Sequence, residues 1–152
     1  MIAIVNAKVV TVTNGTIENG TVLVENGKIA AVGNDVKVPE NAQIIDAKGG
    51  WLTPGFIDVH THMSVFGEPN TMPGLQGDGN EMSSPITPEV RAIDALNPFD
   101  PSIEQVRSAG FTTCYTGPGS ANVCGGTGVT FKLRGNTAEE MEIPGHRHMK
   151  FA

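Results

Sequence analysis

Phe56-Ile57-Asp58-Val59-His60-Thr61-His62 is the segment that most limits what this chain can fold into. Its β-branched and aromatic residues, set off by Pro54-Gly55, predict a strand. On a strand alternate residues share a face, so Asp58, His60 and His62 point one way while Ile57, Val59 and Thr61 point the other. A strand of a parallel sheet is covered on both faces and reads as apolar throughout. Here one face carries a carboxylate and two imidazoles instead. Burying such groups without partners costs on the order of 2–7 kcal/mol each. A divalent cation compensates, because neutral imidazoles ligate zinc and a nearby carboxylate orients a ring without binding the ion itself. His60 and His62 are therefore candidate metal ligands, with Asp58 in a supporting position. An isolated His-x-His fits an exposed strand end with no role; the apolar opposite face favours the metal.

Before this strand the chain reads as short strands and tight turns. Asn14-Gly15, Asn19-Gly20 and Asn26-Gly27 are turn signals, and the last is the best hairpin signal, since a type I′ turn needs positive φ at both central residues. Thr21–Glu25 runs into it and Lys28–Val32 runs out. Gln43–Asp46 is another short strand. No stretch here has a helical period, so the segment is expected to be antiparallel β, half of a sandwich.

After it, residues 64 to 85 are rich in Gly, Pro, Asn and Ser and read as a long loop, with Val65 to Pro85 either closing over a substrate or disordered. Thr87 with Pro88 predicts a helix through Val90, Ile93 and Leu96. Asp100 with Pro101 predicts a second, with Ile103 and Val106 on its apolar side and Gly110 as its stop. Phe111–Thr116 and Val129–Leu133 are strands. Strand, loop, helix, strand is the order of a parallel βα unit.

Net charge and cysteine content narrow the classes of partner. The 152 residues carry a formal charge of -6, which argues against nucleic acid or an anionic membrane as partner. No apolar run approaches a membrane span, and the N-terminus lacks the basic start of a signal peptide. Two cysteines, Cys114 and Cys124, are too few for a disulfide framework, fit a reduced cytosol, and read as inert thiols. A cytoplasmic location is expected.

Leu52-Thr53-Pro54-Gly55-Phe56-Ile57-Asp58-Val59-His60-Thr61-His62 resembles the first barrel strand of the amidohydrolase superfamily of metal-dependent hydrolases. The hairpins up to Ile45-Asp46-Ala47-Lys48-Gly49 look like the small β-sandwich that precedes that strand in many members. Gly110-Phe111-Thr112-Thr113 looks like the second strand. Gly117-Pro118-Gly119-Ser120-Ala121-Asn122 with Gly125-Gly126 resembles members near imidazolonepropionase. The resemblance implies an α/β chain: residues 1–52 as a β-sandwich (urease-like composite) segment, then residues 53–152 as the first βα units of a TIM (β/α)₈ barrel. It implies one or two divalent ions, zinc in the main, with His60 and His62 as ligands and Asp58 orienting a ring without binding the ion. A metal-bound hydroxide would attack the carbonyl of an amide or cyclic amide. The substrate would be a small molecule, and a homo-oligomer is expected. Ser120 and Asn122 follow the second strand, where barrel enzymes place substrate contacts, and equally fit turn residues.

A complete barrel takes about 250 residues, and roughly 100 follow Trp51 here. The ending Met149-Lys150-Phe151-Ala152 looks cut mid-sequence, so the chain is expected to be an N-terminal portion, inactive alone, that exposes apolar barrel faces. The alternative is a non-catalytic β-sandwich assembly module with a vestigial metal site. His146-Arg147-His148 reads as a solvated turn and Gly125-Gly126-Thr127-Gly128 as a flexible loop lacking the Lys of a P-loop. Met63, Met72 and Met82 read as packing residues.

Overall fold

In the computed structural model, residues 1–66 and 79–152 are described. Residues 67–78 of the predicted long loop, with Met72, lie outside them. The chain forms two compact units, Met1–Pro54 and Gly55–Ala152.

The first unit is one sheet of five strands: β1 (Ile2–Val10), β2 (Thr16–Glu25), β3 (Lys28–Gly33), β4 (Gln43–Asp46) and β5 (Trp51–Leu52). Asn26 and Gly27 turn β2 into β3 with φ of 51° and 74°, the two positive values that the hairpin requires. The expectation of a purely antiparallel segment is corrected. β2 occupies one edge of β1, antiparallel, whereas β4 and β5 enter along the other edge, parallel to it. A turn in which Ala42 N–H donates to the Pro39 carbonyl at 3.0 Å leads into β4, so chain direction is set by a crossover and not by a hairpin. Ala7, Val9 and Val22 form its small core, flanked by Ile17, Val24 and Leu52.

The second unit is a sheet of order β6-β7-β8-β9: β6 (Phe56–Thr61), β7 (Phe111–Thr116), β8 (Cys124–Lys132) and β9 (Glu142–Phe151). Helices α1 (Pro101–Ser108) and α2 (Ala138–Met141) accompany it. β6 and β7 are parallel and joined through α1, one βα unit. β8 and β9 then run antiparallel, so among the described residues the parallel pattern does not continue beyond β7. The unit is mostly sheet with few helices. Cys114, Val129, Phe131, Leu133 and Met141 form its core with Ile93, Leu96 and Ile103.

Helix α1 forms as its sequence dictates. Asp100 Oδ1 accepts from Ser102 N–H at 2.8 Å, Pro101 needs no such partner at the first position, and Gly110 follows with φ of 96°. The helix expected after Thr87 is reduced to one 3₁₀ turn at Ala92–Asp94. The Val90 carbonyl, which a helix would use for its own ladder, instead accepts from Thr127 N–H at 2.8 Å, while the buried Thr87 donates its N–H and hydroxyl to the Cys124 carbonyl at 2.8 and 3.2 Å. Ile86 and Arg91 bridge to Cys124 and Thr127, which lays this segment along β8.

That same contact overturns the flexible-loop reading of Gly125–Gly128. These residues are inside β8, and Gly126, at φ of 97°, lies so close to Val90 that an added methyl would sit 2.8 Å from Val90 Cβ. The glycines admit a neighbouring backbone; mobility is not their role. His146-Arg147-His148 is likewise no turn. It lies within β9, exposed as expected, with Arg147 bidentate to Glu142 at 2.6 and 2.9 Å. Gly126→Ala is predicted to lower unfolding stability by about 1–3 kcal/mol through this overlap and the positive φ. A urea titration that shows an unchanged midpoint would refute the close approach.

Candidate metal centre

Strand β6 begins where Phe56 N–H donates to the Gly110 carbonyl at 3.0 Å, which aligns it parallel to β7. Gly55 precedes it because a side chain there would run into Thr112, with a methyl only 2.8 Å from its Cβ. The strand differs from its sequence reading in two ways. Among the described residues it pairs on one side only, and Ile57 and Val59 are 62% and 76% exposed, so the apolar face is uncovered. Its alternation is also interrupted. Asp58 pairs with Cys114 and Thr61 with Thr116, so three steps on β6 match two on β7. Such a bulge changes which side chains share a face. Asp58 Oδ1 accepts from the backbone N–H of His60 at 3.1 Å, which pins the bulge through the main chain.

The two imidazoles meet at the carboxyl end of β6. Their ring centroids are 5.7 Å apart and edge-on at 90°. His62 Nδ1 lies 2.8 Å from the Gly117 carbonyl oxygen, just beyond the end of β7. A carbonyl only accepts, so the His62 proton is on Nδ1 and its Nε2 carries a lone pair when the ring is neutral. This is the arrangement in which a metal-ligating histidine is oriented by a backbone acceptor. His60 is exposed.

The turn after His62 supports it from the other side. Val65 and Phe66 N–H donate to the His62 carbonyl at 3.3 and 3.0 Å, and the Phe66 ring stacks on the imidazole at 4.9 Å. Thr61 Oγ1 accepts from Met63 N–H and Thr116 Oγ1 donates to the Met63 carbonyl, each at 2.7 Å. Ser64 takes a left-handed φ of 65° to close the turn. An open pocket of about 340 Å³ lies beside these groups, lined by Asp58, His62, Phe66, Ser102 and Cys114. Burial, with the Asp58 charge second, pushes the Cys114 thiol up to about 11, so it stays protonated and inert.

Ser120 is exposed. Asn122 is buried, and its Nδ2 donates to the carbonyls of Glu81 and Ser84 at 2.7 and 2.8 Å. Its visible work is to hold the 81–84 turn. The structure therefore brings Asp58 and His62 to one pocket and His60 to the His62 ring, while the hydrogen bonds of Asn122 lead elsewhere. Phe66 and Gly117 are the contributors that sequence reasoning missed. Phe66 sits four residues past His62, which is a findable signal, but a backbone carbonyl has no signature in sequence.

The donor set fits zinc in kind, being two imidazoles at a strand end, one already oriented. Among the described residues no group of three or more His, Cys, Asp and Glu side chains converges.

No family model matches the chain. Amidohydrolase tasK of Hapsidospora irregularis is 46% identical over 118 residues, 74% of this chain and 12% of that protein. Adenine deaminase of Listeria monocytogenes serotype 4b is 32% identical over 133 residues, 87% of this chain and 17% of that protein. The crystal structure of an amidohydrolase from Thermotoga maritima MSB8 superposes over 99% of this chain and 38% of its own, with a TM-score of 0.89 and 38% identity. The chain thus spans well under half the length of each. A fold shared over almost its whole length with that amidohydrolase, and an Asp-x-His-x-His strand that sets two rings at its carboxyl end, lead to one assignment: the chain belongs to the amidohydrolase superfamily.

Proposed function

We propose that the protein hydrolyses a C–N bond of a small-molecule amide or cyclic amide, with His60 and His62 as ligands of a divalent metal. The observation that carries this reading is the His62 Nδ1–Gly117 carbonyl bond, which leaves Nε2 with a free lone pair in a ring 5.7 Å from that of His60. When bound, zinc lowers the pKa of its water to about 7 and polarises the substrate carbonyl. The chain's own residues do the rest. Asp58 fixes the His60 backbone through the bulge. Phe66 covers one face of the His62 ring and gives the pocket an apolar wall. Ser120 and Asn122, beyond β7, are the proposed substrate-side residues.

The unit β6-α1-β7 supports the reading of residues 53–152 as the start of a TIM barrel, since its parallel pair is joined through a helix and its site lies at the carboxyl ends. Residues 1–52, within the first unit, are proposed to be one sheet of a β-sandwich. Catalytic zinc normally has three protein ligands, so we propose that this stretch is inactive alone. Both cysteines are free and buried, which fits a cytoplasmic location. No helix among the described residues is long and apolar enough to cross a membrane.

A second reading, an assembly module with a vestigial site, is favoured by the apolar groove of about 420 Å³ in the first sheet, lined by Ile4, Val24, Ile29 and Val32 among others. It accounts for a homo-oligomer without catalysis.

In the full-length protein, His60→Ala combined with His62→Ala is predicted to drop metal content to background and amide turnover by more than about 100-fold. Metal analysis and a hydrolysis assay check it; unchanged turnover rejects the reading. The 152-residue chain alone is predicted to show no hydrolysis above buffer of any cyclic amide that the full-length protein turns over. Comparable rates would show that the site is complete without further ligands.

A further inference from the structure

His62 is oriented by the carbonyl of a glycine, and a glycine does not hold its own carbonyl in place. Without a Cβ its φ and ψ are broad. Pro118 bars the helical region for Gly117 but leaves the extended range open. The N–H of Gly117 donates to the Thr61 carbonyl at a long 3.3 Å, and the side chain nearest the space where its Cβ would stand is Tyr115.

A methyl group on Gly117 would lie 3.0 Å from Tyr115 Oη, 3.2 Å from Cε1 and 3.3 Å from Cζ. From the neighbouring strand, a methyl group on Gly128 would overlap the same Oη and Cζ. The ring edge therefore fills the space that two absent side chains leave. Its hydroxyl donates to the His148 carbonyl at 3.3 Å, and its ring lies 5.9 Å from that of His148. Tyr115 thus packs from the end of β7 onto Gly128 of β8 and reaches the His148 backbone of β9 through a long hydroxyl contact.

We propose that Tyr115 is a positioning residue: wedged between Gly117 and Gly128, it holds the Gly117 carbonyl on His62 Nδ1 and so keeps the His62 lone pair at Nε2. Its functional consequence rests on His62 being a metal ligand, but the ring tautomer is a property of the metal-free protein and is measured without that premise. The packing also accounts for a glycine at 128, opposite an aromatic ring that covers it.

The test uses ¹⁵N-labelled full-length protein, metal-free, at about pH 8, where an ordinary imidazole is neutral. Long-range ¹H–¹⁵N spectra report which ring nitrogen of His62 bears the proton. Wild type is expected to show Nδ1–H alone, and Tyr115→Phe, which keeps Cε1 and Cζ against Gly117 but loses Oη, to stay closer to wild type than Tyr115→Ala. Tyr115→Ala is expected to show a mixture, and its affinity for zinc to fall about 10–100-fold. Gly128→Ala, whose methyl would meet the Tyr115 ring and also the Thr116 carbonyl oxygen, is expected to move in the same direction. Tyr115→Leu, which shortens the side chain without touching the main chain, carries the test if Tyr115→Ala does not fold. A single Nδ1–H tautomer in both alanine variants overturns the proposal, as does Tyr115→Phe losing it as fully as Tyr115→Ala. Wild-type His62 signals unmoved by zinc would instead reject the ligand reading and leave the tautomer comparison standing.

Discussion

The bond from His62 Nδ1 to the Gly117 carbonyl is the interaction on which the rest of the site depends. It joins the ends of two parallel strands, β6 and β7, and settles the chemistry of one ring in the same step. With the proton held at Nδ1, the only lone pair of a neutral His62 is at Nε2. Everything nearby constrains that ring or its backbone. Phe66 stacks on it, the His62 carbonyl accepts two N–H groups of the next turn, and Thr61 and Thr116 bind the main chain of Met63 from both sides. A ring held this way has little freedom left to lose, which is how surrounding groups raise the affinity of a metal-binding histidine without touching the ion.

The second strand pair is built by close approach of main chains. Segment 86–91 lies against β8 only because Gly126 has no side chain to meet Val90, and Tyr115 reaches across only because Gly128 has none. Packing of this kind explains why a glycine-rich stretch can be among the best-buried parts of the unit. It also explains why Pro88 starts no helix: the Val90 carbonyl accepts from Thr127 N–H on β8 and not from the next helical turn. Tertiary contact overrides local propensity there, while Asp100 and Pro101, with no such competing partner, start α1 as expected.

Local signals were legible in the sequence; pairings over long separations were not. Asn26-Gly27 specified its hairpin because the two positive φ angles are a property of those residues alone. The segment that carries the proposed ligands stood out too, because Asp58, His60 and His62 alternate with largely apolar residues there. The bulge between Asp58 and Thr61 was not, since it depends on register with β7, some fifty residues on. Nor was the parallel entry of β4 and β5, which depends on the edge of β1 that β2 leaves open. The superfamily could be read from Asp58-x-His60-x-His62 and the strand around it, whereas the carbonyl that orients His62 carries no side chain to read.

The central claim is that His60 and His62 hold a divalent ion through strand-end imidazoles. Anomalous diffraction at the zinc edge, on crystals of the full-length protein grown with zinc, tests it most directly. The account predicts a peak about 2.0–2.1 Å from a ring nitrogen of each histidine, with Nε2 as the donor on His62. A peak bonded to neither ring, or to His62 Nδ1, would contradict it.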